Sequence, residues 1–344
     1  FAGGRSRNTI LNQLDFSYEL DFWGKNRNTA KAGALRSEAV EADWESTRLG
    51  LLSELAMNYF ALRTQDAQIA LLRRTVEVRA RATDLARTRF AQGDIAQVDV
   101  AQAETDHAET QAEAIGLERQ RGELEHAIAL LLGRVPSAFT LPAAPIAGRP
   151  PSLPRAVPST LLERRPDIAS AERVMAATNA EIGVARAAFF PSITLGLSGG
   201  TQTSFIEKIA DSHARVWGLG PAGIEWPVLR GGAVKANAEA AKARYEQSAA
   251  QYRQTVLAAM RDAEDALTAL DVLRRQSAAQ DATVAAASKA LELSQKRYDS
   301  GLVAYYEVLD ARRTQLRAER ESTRLRGELF VATAMLVKAL GGGW

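Results

Sequence analysis

The sequence predicts an α+β fold built by internal duplication, in which a short sheet is joined to helices far longer than a compact domain uses. Three observations carry this reading. Residues from Ile10 to Phe22 alternate apolar and polar side chains, and from about Asn26 to Arg89 there is no proline and the only internal glycines are Gly33 and Gly50. The third is a near repeat: RFAQGDIAQVDV at Arg89 to Val100 returns as RYDSGLVAYYEV at Arg297 to Val308, 208 positions on.

Taking the strand first, Ile10, Leu14, Phe16, Tyr18, Leu20 and Phe22 fall on one side, with Asn12 the polar interruption, and Gln13, Asp15, Ser17, Glu19 and Asp21 fall on the other. Period-two alternation gives a strand with one greasy and one charged face. Two settings suit it: an antiparallel strand over a soluble core, or a membrane barrel strand of about 10 residues with lipid on one side and water on the other. In the second setting Phe16, Tyr18, Phe22 and Trp23, with Trp226 on a later strand, form an interfacial aromatic girdle. The long stretch that follows makes a helix on the order of 95 Å at 1.5 Å per residue. Leu55, Leu62, Ile69 and Val76 recur every seventh residue, and Phe90 continues that register, so the helix packs lengthwise against others. Gly93 suits the left-handed position that ends a helix, and a return helix is expected from about Ala96 to Leu132.

Gly133 to Pro158 holds Pro136, Pro142, Pro145, Pro150, Pro151, Pro154 and Pro158, seven of the 11 prolines, and reads as a linker. A helix then starts at Pro166 and Asp167, residue types that favour a first turn, and runs to about Phe189. A strand pair is expected at Ser192 to Gly200 and Val216 to Val228, around a polar loop from Thr201 to Ala214. A second long helix follows from Ala233 to Tyr298, carrying Leu270, Val284, Leu291 and Tyr298 in heptad register with Ser277 as the polar member, and after Gly301 a final helix reaches Leu340. Shifting the first half by 208 lays Leu62 on Leu270, Val76 on Val284, Phe90 on Tyr298, Gly93 on Gly301, Val100 on Val308 and Gly133 on Gly341 without a gap. The chain therefore divides into a first repeat at 1–141, a proline-rich linker at 142–158 and a second repeat at 159–344.

Composition narrows the function. The 344 residues carry 43 Lys and Arg against 41 Asp and Glu, so no net field argues for nucleic acid. Cysteine is absent, which removes disulfides, thiolate metal sites and a cysteine nucleophile. His107, His126 and His213 are the only histidines, and none has a second ligand at metal spacing. No nucleophile constellation or phosphate loop occurs, so neither an enzyme nor a cofactor is expected. The densest apolar run, Ile128 to Leu132, is far short of the roughly 18 residues of a membrane helix, so a membrane protein of this sequence has to be a barrel. FAGGRSRN at the start has no signal-peptide character and reads as a loop entered in mid-fold, with N-terminal residues expected before it.

At the second turn Glu307 and Asp310 stand three apart, on one face of the return helix near its N-terminus. Such carboxylates suit the helix dipole and face water; in a symmetric oligomer they would also stack as acidic rings that bind cations.

Leu153 to Leu195, LPRAVPSTLLERRPDIASAERVMAATNAEIGVARAAFFPSITL, resembles the central signature of the outer-membrane factor family, the TolC-like and NodT-like efflux channels. Tyr18 to Lys25, YELDFWGK, is similar to that family's strand-to-helix junction, and the two glycine turns match its periplasmic tips. The resemblance spans essentially the whole chain. It implies a homotrimer in the bacterial outer membrane, each protomer giving four strands to one 12-stranded barrel and its helices to a long periplasmic coiled-coil tunnel. Three strands are visible here; the fourth is expected before Phe1, together with N-terminal helices, a signal peptide and, in many members, a lipid-anchored cysteine. By the same resemblance Glu307 and Asp310 are periplasmic gate carboxylates, with a glutamate at 307 where an aspartate is usual. Asp99 and Tyr298 tie the two hairpins together, and Val303 stands where some members carry an arginine latch. Gly93, Asp94, Ile95, Gly301, Leu302 and Val303 form the tips that meet a periplasmic adaptor, or membrane fusion, protein. The implied partners are that adaptor, an inner-membrane pump of the RND type and outer-membrane lipid. The implied function is a passive exit duct for drugs or toxic small molecules. Two other readings share these features: a type I protein secretion duct, distinguished by its partner, and a soluble helical-hairpin scaffold, distinguished by strands without an aromatic girdle.

Overall fold

The computed structural model describes residues 9–146, 148, 150, 151, 164–205, 207 and 209–342. The chain forms two compact units, Phe1–Asp43 with Ala169–Thr255, and Trp44–Ile168 with Val256–Trp344. Each unit draws on both repeats, so the units cut across the duplication. Residues 1–8 of the predicted first repeat, 147, 149 and 152–158 of the linker, and 159–163, 206, 208, 343 and 344 of the second repeat lie outside the described residues.

The first unit contains an antiparallel sheet in the order β1 (Ile10–Leu20), β2 (Ser192–Thr203), β3 (Arg215–Glu225). Its register sorts side chains into two faces. Phe16 stands opposite Leu197, which stands opposite Leu219; Tyr18 aligns with Leu195 and Ala222, and Leu20 with Ile193 and Ile224. On the reverse face Asp15 aligns with Ser198 and Gly218, and Glu19 with Thr194 and Gly223. The alternation read in the first strand is thus a property of the whole sheet. Leu14, Phe16, Tyr18, Trp217, Leu219 and Ile224 are all exposed on the apolar face, Leu219 to 95%, an area that a water-soluble monomer does not leave bare. A bulge between Leu195 and Leu197 places Gly220 of β3 at φ +114°, where the extra residue is accommodated. β3 ends at Glu225, earlier than the predicted Val228, because Pro227 has no N–H to offer a neighbouring strand. Trp226 therefore lies just past its strand, and Phe22 and Trp23 lie in the bend after β1. Trp23 stacks on Phe190 with ring centroids 4.5 Å apart and donates its indole N–H to Pro191 O at 2.8 Å.

The helices repeat in register. α1 (Lys25–Ala91) and α2 (Gln97–Leu131) match α4 (Ala233–Asp299) and α5 (Tyr305–Ala339), and all four starts and ends differ by 208, as 233 − 25 and 339 − 131 show. Between them α3 occupies Pro166–Ala187. In the second unit Arg165 grips Asp167 at the start of α3 through two bonds of 2.7 and 3.0 Å, and donates to Ala339 O at the end of α5 at 3.2 Å. One guanidinium thus serves a helix-start carboxylate and a helix-end carbonyl, both placements favoured by the helix dipoles.

The second unit buries two seams. Ile69, Leu72, Ala114 and Leu117 pack α1 on α2, and Ala266, Leu270, Leu329, Ala332 and Leu336 pack α4 on α5. The two hairpins approach closely where Gly327 of α5 meets Thr64 of α1: a Cβ on Gly327 would clash with Thr64 Oγ1 and lie 2.7 Å from its Cβ. Phe60 and Phe330 lie one turn away with centroids 5.1 Å apart. Gly327→Ala should therefore destabilise the protein by roughly 1–3 kcal/mol. Adding Thr64→Ala should recover a large part of that loss in a denaturant titration; equal melting of wild type and Gly327→Ala would contradict the contact.

Candidate functional site

The two helical turns are built alike. Each long helix ends in a glycine with positive φ, +81° at Gly93 and +73° at Gly301, a region where an L side chain is strained. Gly93 N–H donates to Phe90 O and Asp94 N–H to Arg89 O, both at 2.9 Å; Gly301 N–H donates to Tyr298 O and Leu302 N–H to Arg297 O, also both at 2.9 Å. This is the paired cap that reverses a helix within a few residues. The side chains that the caps present differ. Asp94 is exposed and Ile95 half-buried in the first tip, whereas Leu302 is 72% exposed and Val303 half-buried in the second.

Asp99 and Glu307 occupy equivalent positions at the third residue of their return helices. Asp99 accepts from Ala96 N at 3.3 Å, capping its own helix. Glu307 reaches back over its turn to Arg297 at 3.6 Å and is exposed. Asp310 is exposed too, beside Val98, Gln102, Tyr306 and Arg313 in a groove between α2 and α5. Tyr298 does link the hairpins, but its partner within the chain is Arg89: the guanidinium donates to the phenol oxygen at 3.2 Å and lies 5.5 Å from the ring centroid. Within the chain the Asp99 carboxylate accepts from the start of its own helix, and Tyr298 takes Arg89 in place of the expected Asp99. Tyr305 leans on Tyr298 with centroids 5.4 Å apart, and burial pushes its phenol pKa upward.

Behind the tips lies a buried ionic cluster that sequence reading missed. Asp106 of α2 is 2% exposed, and its Oδ1 lies 3.0 Å from Arg79 of α1 and 3.0 Å from Nε of Arg313 of α5. Arg79 also donates to Asp106 O at 2.9 Å and to Thr110 Oγ1. Desolvation pulls the Arg79 guanidinium below its ordinary pKa and Asp106 opposes that pull; the bond to Asp106 raises that of Arg313. Arg320 and Glu113, one heptad on, repeat the α5–α2 link at 2.9 Å.

A second cluster binds the proline-rich crossing. Arg63 donates to Pro142 O at 2.7 Å and pairs with Asp66 at 2.8 Å; Asp66 accepts from Ala144 N at 3.0 Å and from Arg121 at 2.7 Å. Arg121 donates to Leu141 O at 2.6 Å, and Glu125 accepts from Leu141 N. The described start of the linker is therefore fastened to α1 and α2 by buried charges. Its prolines concealed this, since the partners of Arg63 and Arg121 there are main-chain carbonyls that any residue offers.

The family model described as Outer membrane efflux protein matches residues 3–134 and 157–342. The chain belongs to the outer membrane efflux protein family. It is 34% identical over 350 residues to outer membrane protein OprJ of Pseudomonas aeruginosa, covering 100% of this chain and 72% of OprJ. It is also 34% identical over 333 residues to the pyoverdine export outer membrane protein OpmQ of Pseudomonas putida, covering 96% of this chain and 70% of OpmQ. Its structure matches the outer membrane protein VceC of Vibrio cholerae with a TM-score of 0.88 and 28% identity, covering 100% of this chain and 84% of VceC. The fold class is that of the TolC-like outer-membrane channels, trimeric and internally duplicated, and the protein is an outer-membrane component of an efflux system. The bare apolar sheet face fits this setting, and the soluble scaffold reading is set aside.

The ionic clusters distinguish the two repeats of this family member. Where the first repeat has Arg79, Asp106, Thr110 and Glu125 buried and Arg121 half-buried, the second has Ala287, Thr314, Ala318, Thr333 and Leu329 at the positions 208 further on. Removing Arg79 should cost about 3–5 kcal/mol, because it strips a buried carboxylate of a buried partner. Arg313→Ala should cost only about 1 kcal/mol, its side chain being 46% exposed and Asp106 keeping Arg79. Replacing Arg79, Asp106 and Thr110 together by Ala, Thr and Ala should restore most of the loss; equal destabilisation by Arg79→Ala and Arg313→Ala in thermal melts would refute this ranking.

Proposed function

We propose that this protein is the passive, gated exit duct of a tripartite pump, conducting small molecules without catalysis from a periplasmic adaptor and an inner-membrane pump of the RND type to the outside. The gate is formed in the trimer by Glu307 and Asp310, with Tyr298 and Asp99 holding the tips. Six residues, Gly93, Asp94, Ile95, Gly301, Leu302 and Val303, meet the adaptor. Phe16, Tyr18, Phe22, Trp23 and Trp226 meet outer-membrane lipid at the interface, Trp23 with its ring already seated on Phe190. We read the chain as two repeats, 1–141 and 159–344, joined by 142–158.

One observation carries the gate assignment. Glu307 and Asp310 are exposed on the first turns of α5, and the contacts that bind α5 and α4 to the first hairpin, Arg313 to Asp106 and Tyr298 to Arg89, lie immediately beside them. Carboxylates of three chains brought to one axis would repel one another and attract cations. The neighbouring inter-hairpin bonds would hold them there against that repulsion. Glu307→Ala with Asp310→Ala should therefore weaken divalent-cation block of single-channel current by tenfold or more. Block at wild-type concentrations in the double variant would contradict the acidic rings.

A further inference from the structure

We infer that Asp15 is a selectivity-determining residue of the barrel lumen, favouring cationic over anionic solutes; this rests on the exit-duct reading above. The apolar face of the sheet takes the lipid, so the face carrying Asp15 takes the water. On that face β2 and β3 contribute neutral residues: Thr194, Gly196, Ser198 and Gly200 from one, and Val216, Gly218 and Gly223 from the other. Among the described strand residues it bears no lysine or arginine. Its carboxylates are Asp15, Glu19 and Glu225, and two of them are neutralised from the helix starts beside the sheet. Glu19 pairs with Lys25 at 2.9 Å and Glu225 with Arg230.

Asp15 is different. Its bonding partner is the neutral amide of Gln13, whose Nε2 donates to Oδ1 at 2.6 Å. A neutral donor orients a carboxylate without cancelling its charge. The residues in line with it across the sheet, Ser198 and Gly218, are too small to cover it. Among the described residues Asp15 is thus the strand carboxylate of this face that no cation pairs, part-way along the strand, and threefold symmetry makes a ring of it. Such a ring acts over about a Debye length, roughly 10 Å at 0.1 M salt and 3 Å at 1 M, so its effect on passage is strong in dilute salt and lost in concentrated salt.

The test is the reversal potential of the full-length trimer in a planar bilayer under a potassium chloride gradient. It is run in the Glu307→Ala and Asp310→Ala background, so that tip carboxylates do not mask the barrel. Asp15→Asn, which keeps the shape, should lower the cation-to-anion permeability ratio at least twofold in dilute salt, with no difference at 1 M. Ser198→Lys, which leaves Asp15 in place and sets an ammonium opposite it, should do the same. Channels of normal conductance with an unchanged ratio in both variants overturn the inference while leaving the duct reading intact. Absence of discrete channels from the parent protein overturns the duct reading and the inference together.

Discussion

Asp106 is the constraint from which much of the second unit follows. A carboxylate removed from water must be met by opposite charge and by hydrogen bonds, and few arrangements of three helices do this at once. Arg79 supplies the charge from α1, and Arg313 brings a second guanidinium from α5. A slip of either helix by one turn, about 5.4 Å, would bury an unpaired ion. Apolar seams do not resist sliding in this way, because leucine meets leucine equally well one heptad along. The first hairpin is therefore fixed in register by specific bonds, and the second hairpin, whose seam is alanine and leucine, takes its position from Arg313, Arg320 and the close approach at Gly327.

The other unit obeys a different constraint. Its sheet has one apolar and one polar face, and period-two geometry lets a single strand carry both. Aligned rows of apolar side chains across three strands leave the reverse face to serine, threonine and glycine set around the carboxylates Asp15, Glu19 and Glu225. Ion pairs at the strand ends, such as Glu19 with Lys25, sit where strands give way to helices and water is available to both partners.

Much of this was legible in the sequence. Helix starts and ends were placed to within a few residues because glycine and proline mark them, and the offset of 208 tied each helix to its copy. Of the heptad line read from the sequence, Leu62 and Ile69 are buried, Leu55 and Val76 are half-buried, and Phe90 at its end is exposed. Its companion line through Gln65, Leu72, Arg79 and Ala86, all buried, was not read, because glutamine and arginine interrupt a pattern recognised by hydrophobicity. A signal did exist: buried polar residues at seven-residue spacing in one repeat, facing alanine and leucine at the same places in the other. Within the chain, the Arg89 partner of Tyr298 was not legible for another reason. A tyrosine at a helix end can reach several neighbours, and only coordinates show that Asp99 is occupied by its own helix while Arg89 is in range. Trp226 was placed in a strand on alternation alone, although Pro227 next to it already argued for the strand's end.

The central claim is that contacts between the hairpins hold a conducting path nearly shut. Single-channel conductance of the full-length trimer in a planar bilayer tests it most directly, comparing wild type with a chain in which Arg89→Ala and Arg313→Ala remove the two links nearest the tips. Small, discrete wild-type openings that grow severalfold in the double variant are the predicted result. Unitary conductance that is the same in both proteins, or a chain that stays in water and never inserts, would contradict it.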